Sequence, residues 1–439
     1  MVETKDRLPP AAETRRKRAV ELRRWLHRHP ELSFREVETA GRIVAELDRL
    51  GIPNTYPGPG NGVIGRITVD PELPSVALRA ELDALPGAEQ TVANYKSIYA
   101  ERMHACGHDA HMTMLVGAAE SLVNELPEGN VVLIFQPAEE RGGGARTMIE
   151  AGALDGVRAV FGGHVTHEWP TGKIMIRQGA MTAQSDRFFI DITGKGGHGA
   201  RPHEAIDAIV IAALLITALQ TLVSRHTNPV HPSVVTIGRI ESGSAANVIA
   251  ESAHLEGSIR TTIPETRDHI HRGIRRMAEA MADLHDASIK VDITEGYPPV
   301  INSDEEVDLV RRCVRSHLGP DALTTSPHAS MGSEDFSYYL QQVPGAFFRF
   351  GARRPEWEPI PLHSPRFDID EDVLPIGAEY FDAIARSALR HYGAKNVRNL
   401  SPRQVSPAAA RGNSNWSEPI RTNSPTANKQ CSPRSTHNL

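Results

Sequence analysis

The densest group of reactive side chains lies in the segment MHACGHDAH, residues 103–111, where a thiol, imidazoles and a carboxylate occur within nine residues. Thiolate and imidazole together suit Zn²⁺ and neighbouring transition metals. Two other interpretations stay open at this point. Cys106 could be a small buried apolar residue beside solvated histidines, or a nucleophile activated by His108. A zinc finger is disfavoured because no second Cys or His pair follows at finger spacing.

A second group is the carboxylate pair Glu139 and Glu140 in QPAEE, residues 136–140. Two adjacent carboxylates are costly to hold together unless a cation or solvent offsets their charge. One could bind a metal while the other moves protons. The alternative is that both simply favour the N-terminal dipole of the following helix. The glycines that follow form no phosphate-binding loop, because no Gly-Lys-Ser or Gly-Lys-Thr comes after them.

The elements around these groups alternate between strands and helices. Strand patterns such as SVALRAELD, NVVLIFQP and RAVFGGHV are separated by helical ones, which predicts βα units around a largely parallel sheet flanked by helices. Ligands in such sheets bind beyond the carboxyl ends of the strands. The predicted strand ends and one helix start carry the candidate residues Asp83, Glu139, Glu140, His164, Cys106 and His108.

The pattern changes in the middle of the chain. Strands and two helices over residues 186–297 predict an α+β sandwich inserted into the α/β domain, which would comprise residues 10–185 and 298–394. Residues 395–439 are rich in Ser, Pro, Asn and Arg, and we expect a disordered tail there. A chain of 439 residues is long enough for two such domains.

Composition excludes several classes of protein. The net charge of -6 gives no basic surface for nucleic acid. The longest apolar run, residues 208–219, is shorter than a bilayer requires and predicts a buried helix, so no membrane partner is expected. The charged N-terminus has no apolar core of a secretory signal, which predicts a cytoplasmic location. Three cysteines far apart do not form a disulfide framework.

Eight motifs occur in one order over residues 15–391: RAELDALP, MHACGHDAH, QPAEE, GGHV, GKGGHGARPH, the NVIA-to-SIRT stretch, MGSEDFSYYL and PLHSP. In these motifs the chain resembles the M20 metallopeptidase family, in particular its aminoacylase-like amidohydrolase branch of hippurate hydrolases, auxin-conjugate hydrolases and N-acyl-amino-acid deacetylases. The resemblance implies that the inserted domain is a lid or dimerisation domain.

The resemblance also implies a ligand set for two divalent metal ions per subunit, which could be Zn, Mn, Co or Ni. Cys106 would bridge both ions. Glu140 and His363 would complete one site, and His108 and His164 the other.

Further roles follow from the same resemblance. Glu139 matches the general base and acid, and Asp83 matches an aspartate that orients a metal ligand. His198 matches a histidine that stabilises the oxyanion from the other subunit of a dimer. Asn247 and Arg260 match residues that bind the substrate carboxylate. The family branch usually has aspartate where this chain has Glu81.

The function that this implies is metal-dependent hydrolysis of a small N-acyl amino acid to a carboxylic acid and a free amino acid, by a homodimer or higher homo-oligomer. A dipeptidase or an N-acyl-diaminopimelate deacylase is the alternative within the family. Two alternatives of another class are a metal-independent thiol hydrolase built on Cys106 and a catalytically silent binding protein.

Overall fold

The computed structural model describes residues 10–56, 60 and 62–399. Its helices are α1 (Pro10–Arg28), α2 (Val37–Arg49), α3 (His108–Asn124), α4 (Gly144–Glu150), α5 (Ala208–Thr221), α6 (Pro264–His285), α7 (Asp304–His317), α8 (Ser337–Leu340) and α9 (Val373–Asn399). Its strands are β1 (Asn54–Thr55), β2 (Val63–Ile67), β3 (Ser75–Glu81), β4 (Leu85–Pro86), β5 (Arg102–Met103), β6 (Asn130–Gln136), β7 (Val157–Pro170), β8 (Ile174–Met175), β9 (Gly179–Ala180), β10 (Gln184–Thr193), β11 (Gly197–His198), β12 (Ser233–Ser242), β13 (Val248–Ile249), β14 (Ser252–Thr261), β15 (Ser288–Glu295), β16 (Ile301–Asn302), β17 (Leu323–Thr324) and β18 (Gly345–Arg353).

An eight-stranded mixed sheet forms the larger layer, in the order β1-β2-β6-β3-β7-β18-β8-β17. Its central strands β6, β3, β7 and β18 are parallel to one another. β6 is buried along its whole length, as expected for an apolar strand covered on both faces. Separate apolar clusters lie around the sheet, one including α1, α3 and α9 and the other including α4 and α8. The predicted α/β fold, a mostly parallel mixed sheet flanked by helices, is confirmed.

A separate antiparallel sheet has the order β12-β14-β10-β15 and lies between Gln184 and Glu295. Buried and exposed residues alternate along β10, because one face of this sheet is covered by α5 and α6. Phe188, Leu215 and Leu255 are fully buried between these layers. This is the α+β sandwich that the sequence predicts. The exact boundaries at residues 186 and 297, and a role as lid or dimerisation domain, stay predictions.

The apolar helix α5 differs from the sequence prediction. Leu215 and Leu219 are buried against the sheet, but Ile209, Val210 and Leu214 are 45%, 49% and 43% exposed. The prediction of a buried helix is therefore wrong for one face, because the described chain provides no element to cover it. By length and composition alone, the segment Ala208–His226 could span a membrane, and a third of it is buried inside the protein.

The last helix also differs from its predicted end. α9 continues to Asn399, five residues into the segment predicted to be a disordered tail from residue 395. The physical reason is that no proline interrupts the helix before Pro402, and each further residue of a started helix adds a hydrogen bond. The rest of the predicted tail, residues 400–439, lies outside the described residues.

Candidate metal centre

The predicted metal ligands meet at the carboxyl edge of the large sheet. β3 ends two residues before Asp83, and β6 ends shortly before Glu139 and Glu140. β7 continues past its last pair with β3, at Gly162, and carries His164 there. α3 begins at the same edge with Cys106 and His108, and the loop between β18 and α9 brings His363.

Two groups of donor atoms share the thiol of Cys106. Its Sγ lies 3.2 Å from Nε2 of His164 and 3.4 Å from Nε2 of His363, and the latter nitrogen lies 3.2 Å from Oε1 of Glu140. The donors of Cys106, His108 and His164 lie within 4.8 Å of one another, as do those of Cys106, Glu140 and His363. Such spacings suit donors that bind a common cation at about 2.0–2.3 Å each. The arrangement therefore offers two metal sites with one shared sulfur.

His108 shows how one ligand is oriented. Its Nδ1–H donates to the main-chain oxygen of Asp83 at 2.7 Å, and a carboxylate oxygen of the same residue lies 3.3 Å away. The other ring nitrogen, Nε2, is buried and has no hydrogen-bond partner within residues 10–56, 60 and 62–399. A buried polar atom without a partner is costly. A cation bound to Nε2 would remove that cost.

The charges around the donors also favour a cation. Burial opposes a charge on His108, but Asp83, Glu81 and Glu140 outweigh it and raise the pKa of its imidazole to about 10. Burial, with the nearby Glu334 and Glu140 carboxylates, raises the pKa of Glu139 well above its usual range. The site thus holds more negative charge than its own side chains neutralise, and the donor set fits divalent metal ions.

The same electrostatics bear on a thiol nucleophile. Burial, followed by the carboxylates of Glu140 and Glu139, raises the pKa of the Cys106 thiol well above its usual range. A nucleophilic cysteine needs a lowered pKa. The raised pKa of Cys106 therefore disfavours a metal-independent nucleophile, whereas the spacing of the donor atoms suits a metal ligand.

Asp83 joins two predicted ligands. Its Oδ2 accepts hydrogen bonds from the hydroxyl of Ser33 at 2.7 Å and from the backbone N–H of Glu140 at 3.0 Å, while its main chain holds His108. Burial opposes ionisation, yet the hydrogen bonds of His108, Glu140 and Ser33 keep the pKa of Asp83 below its usual range. These contacts support the predicted role of Asp83 in orienting ligands.

Glu81, at a position where the resemblance predicts aspartate, contacts the centre through His111. The backbone N–H of Val165 donates to Nε2 of His111 at 2.9 Å, so the ring proton is on Nδ1 and donates to Oε2 of Glu81 at 2.8 Å. Arg79 pairs with the other oxygen of Glu81. Burial raises the pKa of Glu81, but Arg79 and His111 outweigh burial and hold this pKa well below its usual range. Through His111, the side chain of Glu81 therefore holds the backbone N–H of Val165, the residue that follows His164.

Backbone conformations at the centre are unusual. Ala138 and His363 have positive φ angles of 51° and 66°, a region that residues with a side chain rarely adopt. Gly107, between Cys106 and His108, has φ 83°, and a Cβ there would lie 2.3 Å from a methyl carbon of Val165. Strained residues of this kind cluster at functional sites. Glycine at position 107 allows α3 to start close against β7.

A cavity of about 680 Å³ opens on the donors and is lined by Cys106, Glu139, Glu140, His164 and His363. Arg260, on β14, lines the same cavity, and its Nη1–H donates to Oγ of Ser333 at 2.9 Å. The structure therefore brings the predicted metal ligands together with Glu139, Asp83 and Arg260, at the carboxyl edge of the large sheet and beside the antiparallel sheet.

The two remaining predicted residues lie elsewhere. His198, on β11, and Asn247, just before β13, are exposed and do not line this cavity. They are neighbours of each other, because Gly199 donates to the main-chain oxygen of Asn247 at 2.8 Å. Within one chain, neither side chain reaches the candidate metal centre.

Comparisons with known proteins show the family of this chain. The profile of peptidase family M20/M25/M40 matches residues 77–387. The chain belongs to this family. The crystal structure of the Bacillus subtilis YXEP protein, a dinuclear metal-binding peptidase from the M20 family, has a TM-score of 0.75 and 35% identity to this M20 chain. The match covers 86% of this chain and 99% of the YXEP chain.

Two relatives are enzymes named for their substrates. The Arabidopsis thaliana IAA-amino acid hydrolase ILR1-like 2 is 40% identical over 382 residues, covering 86% of each chain. The Bacillus subtilis N-acetyl-L-cysteine deacetylase is 38% identical over 376 residues, covering 85% of this chain and 88% of its own. This M20 chain is thus a hydrolase whose family includes dinuclear metal enzymes.

Three residues of the M20 site were missed in the sequence. The hydroxyl of Tyr297 donates to the main-chain oxygen of Glu139 at 2.7 Å and accepts from Gly143 at 3.0 Å, although its segment EGYPP reads as a turn. Glu334 lines the cavity and pairs with Arg79 at 3.0 Å. The third, Arg349, also lines the cavity. The motif MGSEDFSYYL was a signal for Glu334, whereas a single arginine in FFRFGA carried none.

Proposed function

We propose that the chain is a binuclear metal-dependent amidohydrolase that cleaves small N-acyl amino acids to a carboxylic acid and a free amino acid. The observation that carries this proposal is the pair of donor groups sharing Cys106, next to the buried carboxyl of Glu139, in a cavity that also contains Arg260. A metal centre, a proton carrier and a cationic group for a carboxylate are what hydrolysis of such a substrate requires.

The donor set fits two divalent ions. The side chains that would hold them are Cys106, His108, Glu140, His164 and His363. Zn, Mn, Co and Ni all tolerate a mixture of thiolate, imidazole and carboxylate. When bound, such ions polarise a carbonyl and lower the pKa of water to near neutrality.

The chain's own residues account for binding and proton transfer. The guanidinium of Arg260 would bind the α-carboxylate of the substrate, which places the amide over the donors. Glu139 would take one proton from water as the water oxygen bonds to the acyl carbon. It would return this proton to the leaving nitrogen as the C–N bond breaks. Tyr297 fixes the main chain of Glu139 during both transfers.

A panel of N-acetyl, N-benzoyl and indole-acetyl amino acids, with each metal added, tests the proposal. We expect release of a free amino acid that depends on added metal and is abolished by chelation. Dipeptides and N-acetyl-diaminopimelate in the same panel test the alternatives within the family. No turnover of any substrate would favour a silent binding protein, and metal-independent turnover blocked by iodoacetamide would favour a thiol hydrolase.

The neighbouring carboxylates Glu139 and Glu140 provide a matched pair of variants. Glu139→Gln cannot accept a proton, so we expect a rate about 10²- to 10⁴-fold lower with unchanged metal content. Glu140→Gln removes a charged ligand, so metal content and activity should fall together. Measuring metal per subunit and turnover for both variants separates the roles. Equal loss of metal in both would contradict the assignment.

We also propose that the active unit is a homodimer in which His198 and Asn247 enter the cavity of the other subunit. Both are exposed and outside the cavity of their own chain. Ile209, Val210 and Leu214 expose an apolar face on α5, and β12 is an edge strand of the same sheet. An exposed apolar face beside an unpaired edge suits pairing with a second copy.

Complementation tests the dimer. Heterodimers formed by mixing inactive His198→Ala and Glu139→Gln subunits contain one site with both groups intact, so mixing should restore part of the activity. A fully active monomer would overturn this arrangement. The cytoplasmic location stays a prediction from the sequence.

A further inference from the structure

We propose that Arg349 forms a second anion-binding subsite in the cavity, which selects substrates carrying a second carboxylate besides the α-carboxylate bound by Arg260. This inference rests on the proposed function and specifies its substrate class. A mono-amide of a dicarboxylic acid would present that carboxylate on its acyl group, and an N-acylated acidic amino acid would present it on its side chain.

The position of Arg349 follows from strand register. It lies on β18 directly opposite His164 of the neighbouring parallel strand β7. Its side chain lines the cavity together with that of His164, whereas Phe348 and Phe350 on either side are buried in the apolar core. The alternation of the strand therefore directs one cation from an apolar segment into the cavity beside the metal centre.

Arg349 is only partly exposed, and its guanidinium forms no hydrogen bond or ion pair with any residue in the described part of the chain. The carboxylates of Glu168 and Glu334 line the same cavity, but neither forms an ion pair with Arg349 among the described residues. Other inward guanidinium groups differ, since Arg79 and Arg23 each pair with several carboxylates. A desolvated cation without a partner is costly unless a ligand supplies the anion.

The two arginines come from different walls of one cavity. Arg260 lies on β14 of the inserted sheet, and Arg349 lies on β18 of the large sheet. Each guanidinium can bind one carboxylate through two parallel hydrogen bonds. The cavity is also lined by the apolar residues Ile360 and Leu362, which suit a short methylene chain. A substrate with an anion at each end and an amide between them matches this lining.

Pairs of substrates that differ only in one charge test the inference. We compare N-succinyl-alanine with its terminal amide, and N-acetyl-glutamate with N-acetyl-glutamine. For the wild-type protein we expect kcat/KM about 10- to 100-fold higher for the carboxylate in at least one pair, the range expected for a hydrogen bond to a charged group. The pair that shows the preference identifies whether the acyl group or the amino-acid side chain contacts Arg349. Equal rates in both pairs would overturn the inference.

Variants of Arg349 test whether this residue causes the preference for the carboxylate substrate. Arg349→Gln should lower the ratio of kcat/KM for the carboxylate to kcat/KM for the amide towards one, and Arg349→Lys should keep part of this preference. Arg158→Gln is the control, because Arg158 is an exposed cation on β7 outside the cavity and its loss changes only the net charge. Equal loss on charged and neutral substrates would assign Arg349 to the hydrolysis itself and overturn the inference, as would a preference that survives in Arg349→Gln.

A binding measurement separates this inference from the proposed function. Metal-loaded Glu139→Gln protein is titrated calorimetrically with intact N-succinyl-alanine and its amide, so no turnover is needed. Tighter binding of the carboxylate that disappears in the double variant with Arg349→Gln supports the subsite even if no hydrolysis is found. A structural role for Arg349 predicts a lower melting temperature of Arg349→Gln, whereas an unpaired cation predicts an equal or higher one. Equal affinities for the two ligands would overturn the inference.

Discussion

His111 connects Glu81 to the strand that carries His164, and replacing it should weaken both the fold and the metal site. His111→Phe keeps a flat ring of similar size in a fully buried position but removes both ring hydrogen bonds. The bond to the Glu81 carboxylate is charge-assisted and contributes about 1.5–3 kcal/mol. The N–H of Val165 would be left buried without a partner at a cost of about 1–3 kcal/mol. Together we expect a loss of about 2.5–6 kcal/mol in the free energy of unfolding.

His104→Phe is the matched control for this change. His104 is buried in the same segment, but neither of its ring nitrogens has a hydrogen-bond partner among the residues that the structure describes. The same substitution therefore adds the same bulk without removing a hydrogen bond. We expect the free energy of unfolding of His104→Phe to stay within about 1.5 kcal/mol of the wild type, because the added bulk is small. The difference between the two variants isolates the hydrogen bonds of His111.

Urea unfolding in the presence of a chelator measures the free energy of unfolding of both variants without a contribution from bound metal. Competition with a chromogenic chelator then measures metal affinity, which we expect to fall about 10- to 100-fold in His111→Phe, as for other residues that orient metal ligands. The reasoning would be refuted if the two variants unfolded at the same urea concentration and bound metal equally.

Cys106→Ser should lower metal content together with activity, because a hydroxyl stays protonated near neutral pH; full metal content with lost activity would contradict this. Arg79→Met should lower the free energy of unfolding by about 3–5 kcal/mol in urea titrations, since it leaves three buried carboxylates without their cation, and a change below about 1 kcal/mol would refute this role. Burial raises the pKa of Glu89, but the hydrogen bond to His27 outweighs burial and lowers that pKa to about 2. Burial and Arg23 lower the pKa of His27, but Asp109 and then Glu89 outweigh them and raise it. The pair should therefore stabilise the fold most between pH 4.5 and 6.5, the ordinary pKa values of the two groups. The decrease in melting temperature caused by Glu89→Gln should become smaller below pH 4.5 and above pH 6.5. A decrease that does not depend on pH would contradict the pairing.

The sequence allowed most residues of the candidate metal centre to be grouped, because their signals are local. Asp83, Glu139, Glu140 and His164 follow apolar strands, and parallel strands end at one edge. The mixed sheet itself followed from the alternation of strand and helix patterns. The resemblance to known proteins then supplied His363, which is 257 positions from Cys106 and which no spacing rule connects to it.

What the sequence could not provide depends on contacts between distant segments or between chains. The exposed face of α5 has an apolar composition that is indistinguishable from that of a buried helix, because the sequence does not state whether the covering surface belongs to the same chain. The hydrogen bond between Glu81 and His111 depends on how α3 packs against β3. Arg349 is an isolated charge in an apolar strand, and only the register with β7 reveals that it faces the cavity.

The placement of β18 beside β7 has a consequence for synthesis of the chain on the ribosome. β7 ends at Pro170 and β18 begins at Gly345, 175 residues later. At about 5–20 residues per second, the apolar edge of β7 waits roughly 10–35 s for its partner. The intervening antiparallel sheet needs only residues 184–295 and can fold during that interval. An emerging chain therefore contains a finished middle sheet beside an open strand edge, and that edge is where nascent chains would first associate wrongly.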